Sequence, residues 1–569
     1  MDFTTGRRPL GAAADSEVLF FVSDEPFTLC FRQDDGIKKE ICSRSEETSP
    51  ENTGICHTAS PGILSPGLYF YGFIHDGVFY PENGEYQLTV FNGEYDAPKG
   101  YAGGIIYQIF PDRFNRGGFG YDSSAYPERV IHTNLNDVPE WRPDDKGNIL
   151  NCDYYCGDLK GIEKKLDHFS ALGITAIYLN PIFEAHSNHR YNTADYMRID
   201  PMLGSNDDFV SLCRAAHERK IKVILDGVFN HTGDDSVYFN RVGRYEGPGA
   251  YQSLNSPYYG WYSFSSFPDD YSGWWGIKTL PAVNENDPGY RSFICGDGGV
   301  IDKWLSLGAD GFRLDVADEL PDDFIRLIRK AVRKYGDDKI LIGEVWENAS
   351  NKISYGQRRH YLQGDELDSV MNYPFREAVI DFMKDADAVR FTERISSVVE
   401  DYPPVMLNNM MNILSTHDTP RLLTELCFDN VRDMSREEQS MLSPDRDTYL
   451  RAVELEKLAV VLQYTLPGIP SVYYGDEMGM LGGGDPFCRG FMHWDDYDDN
   501  IFGFYKKMGE LRHRFPQLSL PDFHPLKTDA DHCAAYLRGD LLVAVNRGEE
   551  PVKIMGRIVD PWSYVVVET

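Results

Sequence analysis

With 569 residues, 42% of them hydrophobic and 13% aromatic, the chain can bury several cores and is expected to form roughly two to four domains. Its formal net charge of −33 argues against nucleic acid and anionic membranes, whose binding needs basic patches. No apolar run approaches the roughly 20 residues of a membrane span, and residues 1–16 lack the apolar stretch of a secretory signal, so a cytoplasmic protein with a neutral ligand is expected.

Residues 1–98 alternate short aromatic strands (18–22, 68–71, 86–90) with turns at Asp34-Asp35-Gly36 and Glu82-Asn83-Gly84, the pattern of a small β-sandwich. From residue 99 the pattern changes. Strand candidates fall at 105–110, 176–179, 223–226, 311–315, 340–344, 369–372, 412–416 and 471–474, with amphipathic helical stretches such as 162–172, 207–220 and 323–335 between them. Eight strands alternating with helices predict an α/β fold, a (β/α)8 TIM barrel over 99–228 and 291–515. Residues 229–290, rich in Gly, Pro and aromatics, interrupt it after the third strand and read as an inserted lid. Residues 516–569 return to alternating strands (534–538, 541–545, 564–567) and are expected to be a second β-sandwich.

Four of the barrel runs end in an acidic residue: ILD (224–226), GFRLD (311–315), IGE (342–344) and ILSTHD (413–418). In a parallel barrel such strand ends converge on one pocket. Paired carboxyls at that place are what glycosidic bond cleavage needs, one on each side of the scissile bond. Arg313 lies two residues before Asp315, so the strand's period of two aims both at the barrel axis, where the guanidinium is expected to keep Asp315 ionised. The 10 cysteines lack paired spacing and read as reduced thiols. Cys152 and Cys156 are close in sequence, but no second pair or His has matching metal-ligand spacing.

The blocks DGVFNH (226–231), GFRLDVADE (311–319), GEVWE (343–347) and STHDTPR (415–421) resemble those of glycoside hydrolase family 13, the α-amylase family, over about residues 104–500. LPAVN (280–284), SNHRYNTADYMRIDP (187–201), YYGDEMGM (473–480) and DPFCR (485–489) are similar to its neopullulanase, cyclomaltodextrinase and maltogenic amylase subgroup. The resemblance implies Asp315 as nucleophile, Glu344 as acid/base and Asp418 as transition-state stabiliser. It implies sugar-binding roles for His189, His231 and His417, an aromatic platform at Tyr191, and a closing pair at Asp485 and Arg489. Asp226 is expected to support Arg313 and the pocket floor. Asn192 stands where the subgroup commonly has Asp. Trp261, Trp274, Trp275, Trp346 and Tyr259 are candidates for the leaving-group side.

The same resemblance implies an optional calcium at the loop 115–122 with Cys156 and Asp158, Asn115 and Asp158 being the side-chain ligands; no cofactor is required. It implies an α-glucan as substrate (maltooligosaccharide, cyclodextrin, pullulan or starch), cleaved at α-1,4 and in some members α-1,6 bonds by a retaining hydrolase. The alternative is a glucan transferase, of 4-α-glucanotransferase or trehalose synthase type, using the same three carboxylates. A homodimer through the N-terminal domain is expected. The competing readings from other classes are a catalytically dead family member that only binds a partner, which the retained Asp315, Glu344 and Asp418 oppose, and a metal-dependent hydrolase built on His186 and His189.

Overall fold

The structure, a computed structural model, describes residues 10–47, 55–118 and 128–569. Eight parallel strands, Ile106–Ile109, Ala176–Leu179, Lys222–Gly227, Gly311–Leu314, Ile340–Gly343, Ser369–Val370, Met411–Ile413 and Ile469–Tyr473, form one sheet in the order six-five-four-three-two-one-eight-seven. A parallel bridge between Met371 and Met411 joins the sixth strand to the seventh and closes the ring. The (β/α)8 barrel expected from the sequence is present strand for strand. Several strands end earlier than expected, at Leu314, Gly343 and Ile413, so that Asp315, Glu344 and residues 414–416 stand at the strand ends.

Alternation along each strand builds the two layers. Ile106, Tyr178, Ile224, Ile340, Ile342, Met411 and Ile469 share one inner cluster. Their strand neighbours Tyr107, Ile177, Val223, Leu225, Phe312, Leu314 and Leu341 pack outward against the helices. Asp226, Arg313 and Glu344 continue the inward set, so the same period that fills the barrel delivers charge to its open end. Between barrel strands run helices including Asn206–Glu218 and Asp322–Arg333, whose buried faces (Phe209, Leu212, Ala216; Phe324, Ile325, Ile328, Val332) cover the barrel. Ser205 caps the first of these helices through a reciprocal capping box with Asp208.

At the N-terminus a sheet containing Ala12–Ala14, Tyr86–Phe91, Gly67–His75, Thr28–Gln33 and Lys39–Cys42 faces the three strands Leu19–Ser23, Ile55–Gly62 and Arg44–Glu47. Phe21, Phe27, Tyr71 and Phe73 form an aromatic core between them. This domain packs on its own barrel: Thr89 donates to Asp401 O at 2.7 Å, and Gln87 Nε2 to Ser350 Oγ at 2.8 Å. After the third barrel strand a lid carries the hairpin Phe264–Ser266 and Asp270–Tyr271, packed on Phe239. The C-terminal sheet His524–Leu526, Cys533–Arg538, Leu541–Asn546 and Ser563–Glu568, with the hairpin Val552–Ile554 and Arg557–Val559, is tied to the barrel by a 2.6 Å contact between the Tyr536 and Thr465 hydroxyls. Among the described residues no helix is long and apolar enough to cross a membrane, and no cysteine forms a disulfide.

Candidate active site

Parallel register sets the floor of the site. Asp226 pairs with Arg313, and Arg313 with Ile342, across the third, fourth and fifth strands. The fully buried Arg313 guanidinium reaches three carboxylates. Its Nη1 lies 2.9 Å from Asp226 Oδ1 and 2.9 Å from Asp315 Oδ1, and its Nη2 lies 2.9 Å from Glu344 Oε2. A planar, permanently charged fork suits this sharing in a way a lysine ammonium does not. Asp226 stays beneath the cleft, its second oxygen accepting from Tyr178 OH (2.6 Å) and Tyr191 OH (2.8 Å).

Asp315 and Glu344 each follow their strand by one residue. Both keep a last ladder bond, to Gly227 O at 3.1 Å and to Leu314 O at 3.0 Å. Past Asp315 the chain turns sharply. Val316 has φ 39° and ψ 56°, a left-handed conformation rare for a β-branched residue. The turn aims the Val316 N–H at Glu344 Oε2, 2.8 Å away, while the Trp346 indole N–H donates to Oε1 at 3.1 Å. Both oxygens of Glu344 are therefore held in place.

Burial drives the Asp315 carboxyl well above the ordinary carboxylate range. Arg313 pulls it down, and the charges of Glu344 and Asp226 push it up again. Arg313 favours the ionised form of Asp315, as the sequence suggests, but its one positive charge is divided among three negative ones.

The cleft above this floor encloses about 840 Å³ and is lined by Asp315, Glu344 and Asp418 together with Tyr191, His189, His231, His417, Asp485 and Arg489. The His417 ring stacks on Tyr191 with centroids 5.3 Å apart and planes 10° off parallel. Gln108 Nε2 donates to His417 Nδ1 at 3.0 Å, which assigns the proton of the neutral ring to Nε2, 3.0 Å from Asp418 Oδ2 and 2.5 Å from Tyr191 OH. Burial, with the positive charges of Arg489 and Arg313, holds His417 well below the usual histidine range. His189 is depressed likewise, by burial first and Arg489 next, and burial takes His231 to about 4. Three neutral imidazoles beside a carboxyl pair suit an uncharged, hydroxyl-rich ligand.

Asp418 is held by Arg489, whose Nη2 is 3.2 Å from its Oδ1, while Arg489 Nη1 pairs with Asp485 Oδ1 at 2.8 Å. The aromatic candidates divide. Trp274, Trp275 and Trp346 line the cleft. Trp261 is packed among Tyr238, Tyr258, Tyr290 and Phe293, and Tyr259 stacks on Phe264, so these two belong to the lid's own packing. The Asn192 side chain accepts from the Ser187 hydroxyl. Sequence reasoning missed Asp318, Glu319, Lys352 and Tyr355 on the cleft wall, and Gln108 and Asn180, which orient His417 and Tyr191. The signal for Gln108 was a polar side chain within an otherwise apolar first barrel strand.

Residues 108–512 match the model of the α-amylase catalytic domain. The chain belongs to the α-amylase family. It is 36% identical over 528 residues to an amylopullulanase of Thermoanaerobacterium thermosulfurigenes, a match covering 83% of this chain and 27% of that protein, so the chain spans about a quarter of that relative's length. It is 34% identical over 471 residues to a cyclomaltodextrinase of Thermoanaerobacter pseudethanolicus, covering 80% of this chain and 70% of the relative. Among solved structures it is similar to a cyclic α-maltosyl-(1→6)-maltose hydrolase of Arthrobacter globiformis, with a TM-score of 0.69, 30% identity, and coverage of 83% of this chain and 99% of that one.

In the described part of the loop expected to hold a calcium, Asn115 and Asp158 are engaged with backbone groups. Asp158 accepts from the Gly161 N–H (2.6 Å) and the Gly117 N–H (2.8 Å), one on each carboxylate oxygen, as the cap of helix Leu159–Glu163. Asn115 turns its amide to Gly161 O at 2.9 Å. Residues 119–122 of that loop lie outside the described residues. His186 and His189 share no metal centre: His186 faces Glu128 and Asp235, whereas His189 stacks beside Tyr191.

Proposed function

We propose that the chain is a retaining α-glucan hydrolase that cleaves α-1,4-glucosidic bonds of maltooligosaccharides, cyclodextrins or pullulan. The observation that carries this reading is the single Arg313 fork holding Asp315 and Glu344 at neighbouring strand ends, on the floor of a cleft with a Tyr191 platform. Asp315 attacks the anomeric carbon while Glu344 gives its proton to the glycosidic oxygen, and the bond between them breaks. The leaving glucan departs as an alcohol and a covalent β-glycosyl-aspartate remains. Glu344, now a carboxylate, takes a proton from water as that water attacks the same carbon and releases the α-product. Asp418 and His417 hydrogen-bond sugar hydroxyls as positive charge develops on the ring. His231 lines the cleft beside them.

Relatives named for cyclomaltodextrinase and neopullulanase activity support the substrate class. Trp346, half-exposed beside Glu344 and stacked on Tyr373 at 4.1 Å, also offers a platform on which a second sugar could replace water. That favours glucan transfer as a side reaction. The test is a product profile on cyclodextrin, pullulan, starch and maltotriose, with proton NMR of fresh product. The α-anomer is expected first; a β-anomer, or no cleavage of any of the four, refutes the reading, and products longer than maltotriose report transfer.

A further inference from the structure

Two aromatic rings stand almost fully in solvent at the edge of the cleft, Trp275 at 77% and Tyr355 at 74% exposure. Trp275 comes from the lid after the third strand, and Tyr355 from the hairpin Ile353–Ser354 and Gln357–Arg358 after the fifth. Both point at one carboxylate, Glu319, from the loop after the fourth strand. The Trp275 indole N–H lies 3.0 Å from Glu319 Oε1, and the Tyr355 hydroxyl lies 2.6 and 2.7 Å from its two oxygens. Three successive loops are thereby tied together on the side of the cleft that carries Glu344 and Trp346.

The backbone says that these rings are placed against local preference. Trp275 has φ 48° and the following Gly276 has φ 80°; Tyr355 has φ 50° and Gly356 has φ 76°. Two successive residues at positive φ make a type I′ turn, where Asn or Gly is the unstrained first residue and a bulky aromatic is not. The same exception occurs at two tips, and both displaced rings meet the same acceptor. Behind Trp275 stand Trp274 (5.2 Å) and then His231 (5.0 Å), a stack reaching back toward the nucleophile. Behind Tyr355 stands the N-terminal domain: Asp34 grips Arg358 of the hairpin at 2.7 and 3.1 Å through both carboxylate oxygens.

We propose that Trp275, Glu319 and Tyr355 form a latch across the leaving-group side of the cleft, closed for short glucans and opened only at a penalty by polymers, with Asp34 as its positioning residue. The latch rests on the α-glucan reading above. A closed tie limits how far a chain can run past Glu344 without breaking hydrogen bonds to Glu319, which is selectivity by an added penalty against the longer substrate.

The test compares kcat/KM on amylose and on maltotriose for wild type, Trp275→Asn, Tyr355→Asn and Asp34→Ala, with thermal melts of each. Asparagine removes the ring and relieves the turn, so Tm is expected to hold or rise while the amylose-to-maltotriose ratio rises about fivefold or more. Asp34→Ala keeps both rings and is expected to raise the ratio in the same direction, to add little on top of Tyr355→Asn, and to be reversed by Asp34→Glu. An unchanged or falling ratio in the asparagine variants overturns the latch, as does a lowered Tm in both. Wild-type protein that cleaves neither these glucans nor cyclodextrin and pullulan overturns the glucan reading and the latch with it.

Discussion

Replacing Glu344 by glutamine separates the roles of the two central carboxyls. Glutamine keeps the shape but has one acceptor oxygen where Glu344 uses two, for the Val316 N–H at 2.8 Å and the Trp346 N–H at 3.1 Å. One of those donors then faces an NH2 group, a loss of about 1–3 kcal/mol that the fold tolerates. The chemical loss is larger. Without a proton donor, turnover of an unactivated glucan is expected to fall about 10²–10⁴-fold, roughly 3–5 kcal/mol at the transition state. An aryl α-glucoside, whose leaving group needs no proton, should lose far less in the first step, whereas Asp315→Asn should lose both substrates alike.

The pH profile gives a second readout whose sign follows from the site. The charge of Glu344 is one of the causes that raise Asp315, so neutralising it lowers the Asp315 carboxyl. Hydrolysis requires ionised Asp315, and the acid limb of kcat/KM for the aryl substrate should therefore move to lower pH in Glu344→Gln. A variant retaining more than about a hundredth of wild-type turnover on the glucan refutes the assignment of Glu344. An acid limb displaced upward refutes the account of the shared charge.

Two further outcomes test the frame around the site. Burial works against the Asp153 carboxylate, but Arg113 and His132 outweigh it and hold the group at about 2. A carboxyl depressed on folding adds stability above its unfolded value of roughly 3.9, and that stability disappears as pH falls toward 2. Asp153→Asn should therefore be about 2 kcal/mol less stable than wild type at pH 7 in guanidinium melts, with the gap closing in acid; a gap independent of pH refutes this. Chelation should leave Tm where it was, because the Asp158 oxygens are satisfied by the Gly117 and Gly161 amides; a fall of several degrees with EDTA, restored by calcium, would show that an ion holds this loop.

The barrel was legible because its strands are short apolar runs whose inward and outward residues alternate, and because Asp226, Asp315, Glu344 and Asp418 end four of those runs. The lining of the cleft was less so. Trp261 and Trp274 are both tryptophans in an aperiodic lid; only packing against Tyr238, Tyr258 and Tyr290 tells that the first is core. Val316 gave no warning of φ 39°, because a β-branched residue argues against that conformation and only tertiary contacts impose it. Tyr355-Gly356 hid its hairpin for a related reason: the sequence cue for a two-residue turn is Asn-Gly, and the aromatic in place of Asn removes the cue. The ionisation of Asp315 was only partly legible, for a different cause. Sequence places Arg313 two residues before Asp315, but register places Asp226 directly beside Arg313 and brings Glu344 to the other end of the guanidinium. Local spacing names which groups can meet; how a single charge is divided among them depends on the neighbouring strands, and that division governs the ionisation on which the chemistry turns.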